Sequence, residues 1–145
     1  MINEKCDIVI IGAGLAGLAL AYFLKNSNYN VQILEARSRI GGRIYTLRKE
    51  GFAPMEMGAT WLGKKHTALM GLLDELQLET FEQRLGNTAV YEPISTSPPQ
   101  IVQLPPNDQP SYRIKGGSAA VIQRLVDEIK AVSYTHLTLP TTPYV

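Results

Sequence analysis

Three glycines in the run Gly12-Ala13-Gly14-Leu15-Ala16-Gly17 recur with the spacing G-x-G-x-x-G. Such a run shapes backbone and makes no bond by itself. Gly12 permits a tight turn, Gly14 lets the main chain approach a pyrophosphate, and Gly17 lets a following helix pack closely on the preceding strand. A phosphate held there meets free backbone N–H groups and the positive end of a helix dipole. Glu35 stands eighteen residues after Gly17. At the end of a second strand its carboxylate can accept hydrogen bonds from both hydroxyls of an adenosine ribose, and it disfavours a 2′-phosphate. Arg37, Arg39 and Arg43 follow closely. A guanidinium group can be a fixed fork for phosphate oxygens, while the plain reading of the three is a solvated basic loop, which suits Arg39 better than Arg43. None of these residues reads as an acid, base or nucleophile, so the catalytic residues stay unknown.

The fingerprint has meaning only between a strand and a helix, and the surrounding pattern supplies both. Asp7 to Ile11 reads as a short buried strand, Leu15 to Lys25 as a helix rich in Ala and Leu, and Val31 to Glu35 as a second buried strand. The polar stretch from Asn26 to Asn30 makes the intervening turn. A βαβ unit of this size predicts parallel strands and a right-handed crossover. Ile44 to Leu47 and Phe52 to Met57 read as a hairpin around Lys49-Glu50-Gly51. His66 to Leu76 reads as a helix with Leu69, Leu72, Leu73 and Leu76 on one stripe. From Gly86 to Pro110 the chain is rich in proline and short polar runs, which predicts irregular backbone over the cofactor or substrate side. Tyr112 to Ile114 then reads as a strand, Gly116-Gly117 as a tight loop, and Ser118 as the cap of a helix with inner stripe Val121, Ile122, Leu125, Val126 and Ile129.

Composition narrows the classes. Length and a hydrophobic content of 45% suit one globular domain, and a net charge of +1 without a basic stripe argues against nucleic acid as partner. The apolar run Ile8 to Leu24 carries no charge, yet Glu4 and Asp7 precede it and no cleavage site ends it, so neither an export signal nor a membrane segment is expected. Cys6 is the only cysteine, and no Cys or His cluster has metal-ligand spacing. A reducing, cytoplasmic setting and no metal site follow as expectations.

The segment Glu35-Ala36-Arg37-Ser38-Arg39-Ile40-Gly41-Gly42-Arg43 resembles the second glycine motif of flavoproteins with two dinucleotide-binding domains. That resemblance implies FAD rather than NAD, with Gly41, Gly42 and Arg43 near the flavin's phosphates and ribityl chain. Met55-Glu56-Met57-Gly58-Ala59-Thr60-Trp61-Leu62-Gly63 is similar to the stretch that passes beside the isoalloxazine ring in flavin-containing amine oxidases. Small side chains at Gly58 and Ala59 would let backbone lie against the ring. With no family in view, Trp61 would read as a core aromatic. Tyr112-Arg113-Ile114-Lys115-Gly116-Gly117-Ser118 resembles a further family segment. The order of these motifs identifies the chain, from Asp7 to about Ala131, as resembling the flavin monoamine oxidase group.

The resemblance implies an α/β fold with a Rossmann-like FAD/NAD(P)-binding domain, a parallel sheet with crossover helices, incomplete at the C-terminus. The cofactor-binding set is then Gly12, Ala13, Gly14, Leu15, Ala16, Gly17, Glu35, Ala36, Arg37, Gly41, Gly42, Arg43, Gly58, Ala59, Thr60 and Trp61. The implied activity is oxidative deamination of a small amine by hydride transfer to FAD, with oxygen restoring the flavin and yielding peroxide. A carotenoid-type flavin desaturase or isomerase is the rival, and a non-catalytic partial nucleotide-binding module is the reading for the chain as it stands. The expected organisation is residues 1–85 as the N-terminal portion of the FAD-binding domain, 86–114 as a proline-rich segment from the substrate side, and 115–131 as a return to the FAD domain. Residues 132–145 carry no charge and resemble read-through of a sequencing adapter, so they are expected to be a non-native tail on a fragment. In such a fragment Leu18, Tyr22 and Val31 are expected to lose packing partners, and a sheet edge to stay open.

Overall fold

A computed structural model of the chain describes residues 6–84, 86–94, 96, 98–106 and 109–130, together with the backbone of 136–138. The βαβ unit forms where the apolar pattern places it: β1 (Ile8–Ile11), α1 (Leu15–Leu24) and β2 (Val31–Leu34). β1 and β2 pair in parallel, Ile8 opposite Val31 through Ile11 opposite Leu34. The backbone of β9 (His136–Thr138) pairs in parallel with the other edge of β2, giving the order β1-β2-β9. The rest of the expected non-native tail lies outside the described residues.

β3 (Thr46–Leu47) and β4 (Met55–Glu56) form the expected hairpin, with Thr46 opposite Glu56. α2 (Thr67–Glu75) follows and ends at Gln77, which adopts φ 55° while Leu78 N–H donates to the Leu73 carbonyl at 2.8 Å. β5 (Thr80–Glu82) then pairs antiparallel with β8 (Tyr112–Ile114), and α3 (Ala119–Lys130) follows.

Three expectations are corrected. Gly86 to Pro110 is not wholly irregular: β6 (Thr88–Tyr91) and β7 (Gln100–Gln103) form an antiparallel pair, Val90 opposite Ile101. The prolines at 93, 98 and 99 fall in the connection, where no ladder N–H is required, so both flanks are free to pair. Leu18, Tyr22 and Val31 do not lose their partners, being only 1%, 5% and 4% exposed. α3 lies against α1, and its stripe Val121, Ile122, Leu125, Val126 and Ile129 is buried in one core with Leu18, Ala21, Tyr22, Leu72, Leu73 and Leu76. Tyr22 Oη donates to Glu75 Oε1 at 2.8 Å, and Lys25 Nζ sits 4.1 Å from the Tyr22 ring centroid and 3.0 Å from Glu128 Oε2. Three helices are thereby joined around one aromatic ring.

β1 departs from the reading as a buried strand. Ile10 is buried, but Val9 is 47% and Ile11 89% exposed. An uninterrupted apolar strand signals cover on both faces, and the described residues supply it on one. β1 is also an edge strand among the described residues, as expected of an open sheet.

Candidate functional site

The glycine run forms the turn from β1 into α1. Gly12 sits at φ 97° and donates its N–H to the Leu34 carbonyl at 2.7 Å, which ties the turn to the end of β2. A Cβ placed on Gly17 would stand 2.1 Å from the Gly12 carbonyl oxygen, so only glycine allows the first turn of α1 to lie this close to the loop. Gly12 and Gly14 face open space instead. Gly14 is the N-cap of α1 and makes no side-chain cap hydrogen bond, and the first turn holds no acidic residue. The leading N–H groups of α1 are left for an external acceptor, where the helix dipole favours an anion.

Glu35 closes the loop from the far side. Its Oε2 accepts the Ala13 N–H at 2.9 Å and its Oε1 accepts the Arg37 N–H at 2.9 Å. These bonds, that from Arg37 foremost, hold the carboxyl below the ordinary carboxylate pKa. Each oxygen keeps a lone pair for a further donor such as a ribose hydroxyl.

The second glycine motif lies directly on the first. Gly41 donates its N–H to the Ala13 carbonyl at 2.8 Å, and a Cβ on Gly42 would lie 3.5 Å from Gly14 Cα. Gly41 and Gly42 adopt φ of 94° and 57°, conformations open to glycine. Next to them the hairpin brings in a third wall: Ala59 donates to the Arg43 carbonyl at 3.2 Å, and a Cβ on Gly58 would stand 2.0 Å from the same oxygen.

Together these segments enclose a cleft of about 1260 Å³. Of the expected site residues it is lined by Gly12, Gly14, Leu15, Ala16, Gly17, Glu35, Arg37, Gly41, Gly42, Arg43, Gly58 and Ala59. Ala13 is fully buried behind the loop, and Ala36, Thr60 and Trp61 are not in the lining. Thr60 Oγ1 donates to the Gly58 carbonyl at 3.1 Å, and Trp61 is 68% exposed, so it is not a core aromatic either. Arg39, read from sequence as solvated, also lines the cleft and stacks 5.0 Å from the Tyr45 ring centroid, and residues that the motifs did not mark join it, among them Phe23 of α1 and Ala68, Leu69 and Leu72 of α2. Phe23 follows Ala16 and Ala19 on one helical face, a spacing that could have marked it. The charged lining is Glu35 with Arg37, Arg39 and Arg43, a cationic balance suited to phosphate.

Residues 15–108 match the family of flavin containing amine oxidoreductases. The chain belongs to that family. It is 41% identical over 80 residues to the flavin-containing amine oxidase B of Homo sapiens, covering 55% of this chain and 15% of that protein. The Sus scrofa amine oxidase B is 35% identical over 108 residues, covering 74% of this chain and 21% of its own length. Among solved structures, a putrescine oxidase with putrescine bound shares 38% identity at a TM-score of 0.58, covering 72% of this chain and 24% of that one. Cyclohexylamine oxidase from Brevibacterium oxydans shares 30% identity at a TM-score of 0.59, with 70% and 22% covered. The chain thus spans under a quarter of the length of these relatives. The fold is the Rossmann-like α/β fold of FAD-binding amine oxidoreductases, present in part, and the family's cofactor is FAD. An uncapped helix N-terminus, open glycines and a cationic wall fit the pyrophosphate, while Glu35 fits the adenosine ribose. No helix among the described residues is long and apolar enough to cross a membrane.

Proposed function

We propose that this chain holds FAD as the N-terminal part of a flavin-dependent amine oxidase, and that its own contribution is to bind the ADP half. The observation that carries this reading is the backbone contact between the two glycine motifs, Gly41 N–H on Ala13 carbonyl, beside a first turn of α1 without a cap. Gly12, Gly14 and the α1 N–H groups receive the pyrophosphate, Arg37 and Arg43 neutralise it, and Glu35 orients the ribose. Gly58 and Ala59 offer a flat wall for the flavin. Thr60 supports the Gly58 segment through its hydrogen bond to the Gly58 carbonyl.

Bound FAD supplies the two-electron acceptor for oxidation of a small amine, and oxygen returns it to the oxidised form with release of peroxide. On this reading the chain as it stands binds the cofactor without turnover. The exposure of Val9 on β1 supports the same reading of a partial module, whereas Ile11 lines the cleft. The organisation into a FAD-binding portion, a substrate-side segment and a return segment belongs to this proposal, as do the adapter-derived origin of residues 132–145 and a cytoplasmic setting.

Equilibrium titration of the purified chain with FAD tests the proposal. Saturable binding is expected, weakened about tenfold or more by Glu35→Ala through loss of the ribose and loop hydrogen bonds. No binding in the micromolar range, or equal affinity in the variant, would count against it.

A further inference from the structure

Glu56 lies outside the cleft, yet its carboxylate joins two parts of the fold that the cleft depends on. Oε1 accepts the N–H of Ser118 at 2.7 Å, and Oε2 accepts the hydroxyl of Thr46 at 2.9 Å. Thr46 Oγ1 in turn accepts the N–H of Ala119 at 2.9 Å. The acceptors for the Ser118 and Ala119 amides at the start of α3 therefore come from β4 and β3, across sixty-two and seventy-three residues of sequence. Arg48 adds a hydrogen bond from its guanidinium to the Gly116 carbonyl. Gly117, at φ 96°, leaves the space that Thr46 and Glu56 fill; a Cβ there would meet Thr46 Cγ2 at 2.7 Å and Glu56 Oε1 at 2.9 Å.

This clamp fixes the hairpin to a helix that also supports the second glycine motif. A Cβ on Gly41 would lie 3.5 Å from Ile122 of α3, so α3 passes directly behind Gly41. On the hairpin, the residues immediately after Glu56 are those that face the cleft: Met57 donates to the Tyr45 carbonyl at 2.8 Å and Ala59 to the Arg43 carbonyl at 3.2 Å. β3 and β4 pair over only two residues each, too little ladder to hold their own register firmly. We propose that Glu56, through Thr46 and the α3 N-terminus, is a positioning residue that sets the Met57–Ala59 wall against Arg43 for the flavin half of FAD. The role rests on the FAD-binding reading above, but the clamp itself does not.

Two measurements on the purified chain separate the role from the reading. The first compares the affinities for FAD and for ADP in wild type, Glu56→Ala and Glu56→Gln. Glu56→Ala is expected to lower FAD affinity about tenfold and leave ADP affinity within about twofold, because the ADP half meets the loop and Glu35 rather than the hairpin. Glu56→Gln keeps an acceptor for Ser118 and is expected to restore most of the loss. Equal loss of ADP and FAD affinity would make Glu56 a general stabiliser, and no loss of either would remove the role; both overturn the proposal. The second is amide hydrogen exchange without ligand. Glu56→Ala is expected to speed exchange of the Met57 and Ala59 amides about tenfold while Ile10 and Ile33 stay protected. Unchanged exchange at Met57 and Ala59 overturns the clamp even if wild type binds no nucleotide. Failure of wild type to bind FAD, with the exchange result as expected, rejects the FAD-binding reading and the flavin role while leaving the clamp standing.

Discussion

Replacing glycine by alanine adds the same methyl group everywhere, so three such changes isolate what each site demands. In Gly17→Ala the new Cβ would stand 2.1 Å from the Gly12 carbonyl oxygen and 3.2 Å from Ile10 Cγ2. Real Cβ contacts do not fall below 3.0 Å, so α1 must withdraw from the loop by about 1 Å. Overpacking of this kind costs about 3 kcal/mol, offset by about 1 kcal/mol from the better helix propensity of alanine. A net loss of about 2 kcal/mol lowers the melting temperature by about 6 °C in a chain of this size. ADP binding should fall more than tenfold, since a shift of about 1 Å displaces the N–H groups that meet the phosphate. Gly14→Ala has open space and an extended φ of −80°, so stability should change by only about 0.5 kcal/mol while the methyl obstructs the approach of the pyrophosphate. Gly71→Ala, in the middle of α2 with nothing near, should raise stability by about 1 kcal/mol and leave binding untouched. Circular dichroism melts paired with ADP titration separate the three. A Gly17→Ala protein that melts at or above wild type, as Gly71→Ala should, would refute the close packing of α1 on the loop.

Other perturbations probe the same framework. The Glu35 carboxyl is held below its unfolded pKa of 4.5, so its stabilising contribution is present above that value and is lost as pH falls through the folded pKa. Wild type should therefore lose more stability in urea melts between about pH 6 and about pH 3 than Glu35→Gln does; equal losses would contradict the hydrogen bonds from Ala13 and Arg37. Tyr22→Phe removes the bond from the buried Tyr22 hydroxyl to the exposed Glu75 and should cost about 1 kcal/mol in urea denaturation, with no change indicating a solvent-satisfied carboxylate. Gln77→Gly relieves a left-handed residue after α2 and should gain about 1 kcal/mol, unless Gln77 leaves that conformation in solution.

Features built from neighbouring residues were legible in the sequence. The run Ile8 to Leu34 carries its strand, glycine turn, helix and parallel partner within one local pattern, and Glu35 falls at the end of β2 as the motif requires. Gly41 and Gly42 were legible as a motif, but their contact with Ala13 and Gly14 depends on the fold. What was missed joins distant residues. Tyr22 and Leu18 read as lacking cover because α3, a hundred residues later, gives no local sign of packing on α1. Ser118 read as the cap of α3, yet the acceptors that meet the Ser118 and Ala119 amides are Glu56 and Thr46. Thr88–Tyr91 and Gln100–Gln103 carry ordinary strand residues, and the prolines between them masked the hairpin they flank. The exposure of Trp61, at 68%, had no sign in the motif that contains it.

Competition titration decides most directly whether this cleft holds the ADP half of FAD. With FAD bound to the purified chain, ADP should displace it at concentrations near its own dissociation constant, and FMN, which lacks the adenosine, should not. Displacement by FMN with no effect of ADP would place the recognition on the flavin and contradict the assignment of Gly12 to Gly17 and Glu35.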